Sequence, residues 1–125
     1  MKSKALIFWV GVLFLVVAGL GVSIFAKQGP GQLDEFAQCL TDKSAVFYGA
    51  FWCPHCQAQK RMFGNSAKLL PYIECSTPDG QSQLQACIDK EIQSYPTWEF
   101  ADGSRLTGEV PLAQLAEKTG CELLQ

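Results

Sequence analysis

Ala45-Val46-Phe47-Tyr48-Gly49-Ala50-Phe51-Trp52-Cys53-Pro54-His55-Cys56 is an apolar, aromatic-rich run that ends abruptly in two cysteines separated by Pro-His. Val46, Phe47, Tyr48 and Phe51 supply β-propensity, so the run reads as a buried strand. Gln57-Ala58-Gln59-Lys60-Arg61-Met62-Phe63 behind it has helix-forming composition. Pro54 suits the first helical turn, where its missing N–H leaves nothing unsatisfied. Cys53 is therefore expected at a strand-to-helix corner, with Cys56 one turn inside the helix.

That placement has chemical consequences. A sulfur at a helix N-terminus faces unpaired N–H groups and the positive end of the dipole, which favour thiolate over thiol. The thiolate is the nucleophile, and a cysteine three residues on can close a disulfide with it. His55 adds positive charge beside the pair as an electrostatic tuner, which stabilises the reduced form and makes the disulfide more oxidising. A structural zinc site needs four ligands, usually two such cysteine pairs, and the chain has no second C-x-x-C. A redox pair is the reading of the motif, with no metal.

Working outward, Leu33, Phe36, Ala37 and Leu40 recur at helical spacing, with Asp34 and Glu35 in the first turn where the dipole favours acids. The helix after Cys53 is expected to run to about Leu70, with a weak point at Gly64-Asn65. Tyr72-Ile73-Glu74-Cys75 reads as a second strand, parallel to the first because a helix connects them. Thr77-Pro78-Asp79-Gly80 is a turn, and Leu84, Cys87, Ile88 and Ile92 mark a helix over about 82–93. Thr97–Ala101 and Arg105–Gly108 form a hairpin around Asp102-Gly103, and a last helix over 112–119 follows Pro111 and stops at Gly120. Phe47, Tyr48, Trp98, Phe100, Met62 and Phe63 are assigned to the core. The order predicts an α/β fold with a central mixed β-sheet flanked by helices.

The N-terminus differs in kind. Lys2 and Lys4 precede Ala5–Ala26, 22 residues without a charge. As a helix this would span roughly 33 Å, about the thickness of a bilayer hydrocarbon core. The run is longer than a cleavable signal core and lacks a small residue at the −3 position of a cut after Ala26, so a retained single transmembrane helix is preferred over a cleaved signal. The chain then divides into an anchor (1–27), a linker (28–32) and one domain (33–125). Lysines before the span place the N-terminus in the cytoplasm and the domain in the periplasm or an equivalent lumen, although Lys27 weakens the asymmetry.

Residues 28–125 carry seven basic and twelve acidic side chains, a formal charge of −5, which excludes a nucleic-acid partner. They also hold all six cysteines, as suits an oxidising compartment and a domain with one modest core. Beyond Cys53 and Cys56 the other four allow three pairings. Cys75–Cys87 is the local choice, worth roughly 3 kcal/mol of chain entropy, which leaves Cys39–Cys121 at up to about 4.5 kcal/mol. The alternative is that one of these pairs relays electrons to Cys53 and Cys56.

Trp-Cys-Pro-His-Cys after a hydrophobic strand, with Tyr95-Pro96-Thr97 before a later strand, resembles the thioredoxin-like superfamily over residues 33–121. Pro-His between the cysteines resembles the DsbA-type oxidases. Phe51–Gln57, the eleven-residue spacing of Cys75 and Cys87, and Ser94–Trp98 resemble the thioredoxin-like partner domain of bacterial vitamin K epoxide reductase homologues. The resemblance implies that Cys53 is the exposed nucleophile, Cys56 the buried resolving thiol and Pro96 a cis-proline. It also implies that Tyr95 pairs with substrate backbone and that Trp52 shapes the rim of the site. Thioredoxins bury an acid six positions before the first cysteine, where this chain has Phe47, so Cys56 has no obvious side-chain base.

The function implied is a membrane-anchored thiol–disulfide oxidoreductase acting on client proteins through Cys53, Pro54, His55 and Cys56. Its re-oxidation would fall to a vitamin K epoxide reductase-type membrane enzyme, and no cofactor is needed beyond the Cys53–Cys56 disulfide. Three other readings stand beside it: a copper-handling module using the same cysteines, a reductant of exported proteins, and an interaction domain with an inert bridge.

Overall fold

The computed structural model describes residues 2–25 and 30–124 of the chain and, in the first helix, the side chains of residues 3–16. Ala26, Lys27, the first two residues of the 28–32 linker and Gln125 lie outside the described residues. Helix α1 spans Lys2–Phe25, and its apolar side chains Leu6, Phe8, Trp9, Leu13 and Phe14 are exposed. Among the described residues, no helix is long and apolar enough to cross a membrane. The expected transmembrane helix therefore finds no support there: the described side chains stop at Val16, part way along the uncharged run.

From Pro30 onward the order is α2 (Asp34–Asp42), β1 (Val46–Gly49), α3 (Pro54–Met62), a 3-10 helix (Gly64–Leu69), β2 (Tyr72–Glu74), α4 (Gln85–Asp89), β3 (Thr97–Glu99), β4 (Arg105–Thr107) and α5 (Leu112–Thr119). The sheet order is β2-β1-β3-β4, with β1 parallel to β2 and the other pairs antiparallel. This is the mixed sheet with flanking helices that the alternation of patterns predicts.

β1 is central and is buried on both faces, because successive strand residues point to opposite sides. Phe47 enters the larger core with Phe36, Leu40, Phe63, Trp98 and Leu115, while Tyr48 enters a smaller one with Cys75, Cys87 and Ile92. Phe47 stacks on Trp98 with ring centroids 4.9 Å apart and meets Tyr72 edge-on at 5.1 Å. Two disulfides tie elements together: Cys39 of α2 to Cys121 after α5, 82 residues on, and, locally, Cys75 after β2 to Cys87 of α4, 12 residues on.

Three local expectations need correction. The helix after Cys53 ends at Met62, because Gly64 takes a left-handed φ of 53°, and the chain continues to Leu69 only as a 3-10 helix. The helix expected over 82–93 shrinks to Gln85–Asp89. Gln83 is taken up in a bridge with Ser76, and Glu91 adopts φ 55°, which ends the helical path. Met62 is not core: it is partly exposed, and the side chain that α3 buries in its place is polar Gln59.

Candidate redox site

The site is built where β1 ends and α3 begins. Cys53 is the N-cap of α3 with an extended backbone, and Pro54 occupies the first helical position, as the sequence of that corner predicts. Cys53 and Cys56 are both free thiols and both buried, at 5% and 1% exposure. Three residues along a helix is one turn, so the two sulfurs share one face.

Cys53 Sγ lies 3.6 Å from the Tyr95 carbonyl oxygen, to which the thiol donates. The Tyr95–Pro96 bond is cis. Some 40 residues separate these groups in sequence; pairing of β3 with β1 brings them together. Trp52 is half exposed, meets the Tyr95 ring edge-on at 6.0 Å, and donates its indole N–H to Ser76 Oγ at 2.8 Å. Gln83 Nε2 donates to the Tyr95 hydroxyl at 2.6 Å and to the Ile92 carbonyl at 2.8 Å. Phe51, also half exposed, extends the apolar rim.

His55 is directed to Glu109, with Nδ1 3.0 Å from Oε2, in a largely exposed pair. The carboxylate offsets the positive charge that the imidazole was expected to present to Cys53, and exposure keeps the pair weak. Burial pushes the Cys56 thiol up to about 12, and the neighbouring Cys53 sulfur acts in the same direction. A backbone hydrogen bond at Ala50 and the Lys60 ammonium oppose that shift. Burial, reinforced by the Glu74 carboxylate, also carries the Tyr72 phenol above its ordinary range.

The structure thus gathers Trp52, Cys53, Pro54, His55, Cys56, Tyr95 and Pro96 at one place, and sets Cys39, Cys75, Cys87 and Cys121 in two bridges elsewhere. Sequence reasoning missed Ser76, Gln83 and Glu109, because each contacts the site only through the tertiary fold. The Cys75-(x)11-Cys87 spacing was the available signal for the first two, since a bridge there draws the intervening loop over the rim. Among the described residues no group of three or more His, Cys, Asp and Glu side chains is placed to hold a metal ion. A buried dithiol at a helix N-terminus, beside an accepting carbonyl and under an exposed aromatic rim, is equipped for thiol–disulfide exchange with a macromolecule.

No protein-family model matches the chain. It is similar to the thiol-disulfide oxidoreductase LTO1 of Arabidopsis thaliana, 49% identical over 94 residues, which cover 71% of this chain and 24% of that protein. It is also similar to the thioredoxin domain-containing protein 5 homolog of Drosophila melanogaster, 30% identical over 93 residues, covering 63% of this chain and 22% of that one. With the mixed sheet and its flanking helices, these likenesses support a place in the thioredoxin-like superfamily, and the first supports an oxidoreductase. The chain spans about a quarter of the length of each of these relatives.

Proposed function

We propose that the chain is a thiol–disulfide oxidoreductase that exchanges disulfides with client proteins through Cys53 and Cys56. The observation that carries this reading is Cys53 at the N-cap of α3, 3.6 Å from the Tyr95 carbonyl, with Cys56 buried one turn behind it. A client thiolate attacks Cys53 Sγ of the oxidised pair, the Cys53–Cys56 bond breaks, and Cys56 takes up the electrons. A second client thiol then displaces Cys53, so the client gains a disulfide and the pair is left as the dithiol.

Re-oxidation falls to a membrane enzyme of the vitamin K epoxide reductase type. That partnership rests on the resemblance of Phe51–Gln57, the Cys75–Cys87 spacing and Ser94–Trp98 to the partner domains of such enzymes. The uncharged Ala5–Ala26 run behind two lysines supports a single-pass anchor with the domain in the periplasm or an equivalent lumen. The two further disulfides suit such an oxidising compartment.

Cys53→Ala is expected to abolish exchange, and Cys56→Ala to accumulate mixed disulfides, both read by trapping with a thiol-alkylating reagent. Normal turnover in Cys53→Ala would sink the reading. The reduction potential fixes the direction of flow: a value toward about −120 mV makes the domain an oxidant, and one near about −270 mV a reductant of exported proteins.

A further inference from the structure

Cys56 has to give up its proton before it can attack. The position that holds an acid in thioredoxins is Phe47, and Phe47 is wholly buried among apolar neighbours. The neighbouring strand supplies a polar system instead. Gly49, at the end of β1, is paired in register with Glu74 of β2. A Cβ on Gly49 would lie 3.0 Å from Cys56 Sγ, 2.8 Å from Tyr72 Cε2 and 3.4 Å from the Tyr72 hydroxyl. The absent side chain is therefore what lets the phenol and the Cys56 sulfur face the same small space.

The Tyr72 hydroxyl donates to Glu74 Oε2 at 2.7 Å. The other Glu74 oxygen accepts from the backbone N–H groups of Phe51 at 3.2 Å and Ser76 at 2.9 Å, which fixes the carboxylate at the strand-to-helix corner. Lys60, one turn beyond Cys56 on α3, sets its ammonium 3.4 Å from the centroid of the Tyr72 ring. The titratable groups around this space are Cys53, Cys56 and Lys60 from the α3 side and Tyr72 and Glu74 from β2. Tyr95 approaches Cys53 through its carbonyl while Gln83 holds its hydroxyl, and Glu99 of β3 is engaged by Lys90 and Arg105.

We propose that Tyr72 and Glu74 form the proton acceptor of Cys56, with Tyr72 as the relaying hydroxyl, Glu74 as the carboxylate that positions and discharges it, and Lys60 as the charge that steadies the thiolate. This rests on the exchange activity proposed above and names the residues that serve its resolving step. During re-oxidation the Cys53 thiolate attacks an external disulfide, forming a mixed disulfide and releasing one thiolate. The Cys56 proton passes to the Tyr72 oxygen as the Tyr72 proton passes to Glu74. The Cys56 thiolate then attacks Cys53 Sγ, the mixed disulfide breaks, and the second thiolate leaves. Two electrons pass to the external disulfide, and Glu74 returns its proton to solvent.

The test follows the full chain, reduced and then mixed with glutathione disulfide, by quenching at intervals and separating the mixed disulfide from the closed pair across pH 5–9. Formation of the mixed disulfide reports Cys53 alone; its decay reports Cys56. In Tyr72→Phe and Glu74→Gln, decay should slow roughly tenfold or more near neutral pH while formation is unchanged. The decay rate should also come to rise with hydroxide across the range, where the unaltered chain levels off. Wild-type decay with a wild-type pH profile in both variants overturns the proposal, and so does slowed decay with an unchanged profile, which marks a packing role. Should Glu74→Gln fail to fold, Tyr72→Phe decides alone. Absence of both the mixed disulfide and the closed pair in the unaltered chain would instead overturn the exchange activity itself, and the relay with it.

Discussion

Cys53–Cys56 and Cys75–Cys87 are two cysteine pairs beside the same central strand, yet the fold leaves the first as free thiols and closes the second into a bridge. The first packs into the larger core and the second into the smaller one, so burial alone does not separate them. What differs is the surroundings of the sulfurs. Cys53 has a helix N-terminus behind it, a carbonyl acceptor in front and half-exposed Phe51 and Trp52 as its rim. Cys75 and Cys87 are fully enclosed and bonded to each other across 12 residues. Reactivity follows access and a place to receive the proton, whereas a closed bridge between elements constrains the unfolded chain.

Removing the bridges should break that comparison most visibly. Cys39→Ala with Cys121→Ala opens the larger loop and is expected to lower stability by up to about 4.5 kcal/mol, leaving exchange at Cys53 intact in whatever fraction stays folded. Cys75→Ala with Cys87→Ala should lower it by roughly 3 kcal/mol and also weaken exchange, because Ser76 and Gln83 then lose their hold on Trp52 and Tyr95. Denaturant titration alongside a glutathione exchange assay separates the two effects. Equal loss of exchange from both double variants would show that the rim does not depend on the nearer bridge.

Titration sharpens the same contrast. The Cys56 thiol is raised in the folded state from an ordinary value of 9.0 to about 12, so the unfolded chain loses that proton first. The contribution of Cys56 to stability is therefore whole below about pH 9 and is lost as pH rises toward about 12. Melting temperature of the reduced domain should fall over that window relative to the oxidised domain, whose Cys56 no longer titrates. Parallel curves for the two redox forms would contradict the assignment. The smallest effect is expected from Gln83→Leu, which removes the partner of the Tyr95 hydroxyl without touching either sulfur. It should raise the client concentration needed for half-maximal exchange a few-fold and leave the resolving step unchanged.

Much of this was legible in the chain because it is written in local chemistry. The aromatic run into Cys53-Pro54 dictates a strand, a corner and a helix; Asp102-Gly103 dictates the hairpin; Pro111 and Gly120 bracket α5. Tyr95 and Pro96 were legible only through resemblance, since nothing in their own neighbourhood says that they will face Cys53. Glu74 was hidden for a physical reason. An acid in a three-residue strand reads as a solvated edge, and only the parallel register of β2 with β1 turns it toward the space beside Gly49. Gln59 was hidden similarly, because amphipathic spacing favours Met62 as the buried residue of α3, and the actual choice depends on what the 109–110 segment needs.

That segment has no partner strand among the described residues. Gln59 Nε2 donates to the Val110 carbonyl at 3.0 Å while Oε1 accepts the Val110 N–H at 2.6 Å, the reciprocal pair that two antiparallel backbones exchange. A side-chain amide here impersonates a peptide bond and stitches the redox helix to the entry of α5 as if the sheet had one more rung. Glu109, the residue before Val110, is thus carried opposite His55 on a backbone that Gln59 anchors one residue away. The charge opposite His55 can therefore be changed at position 109 while the bracket on which it is mounted stays still.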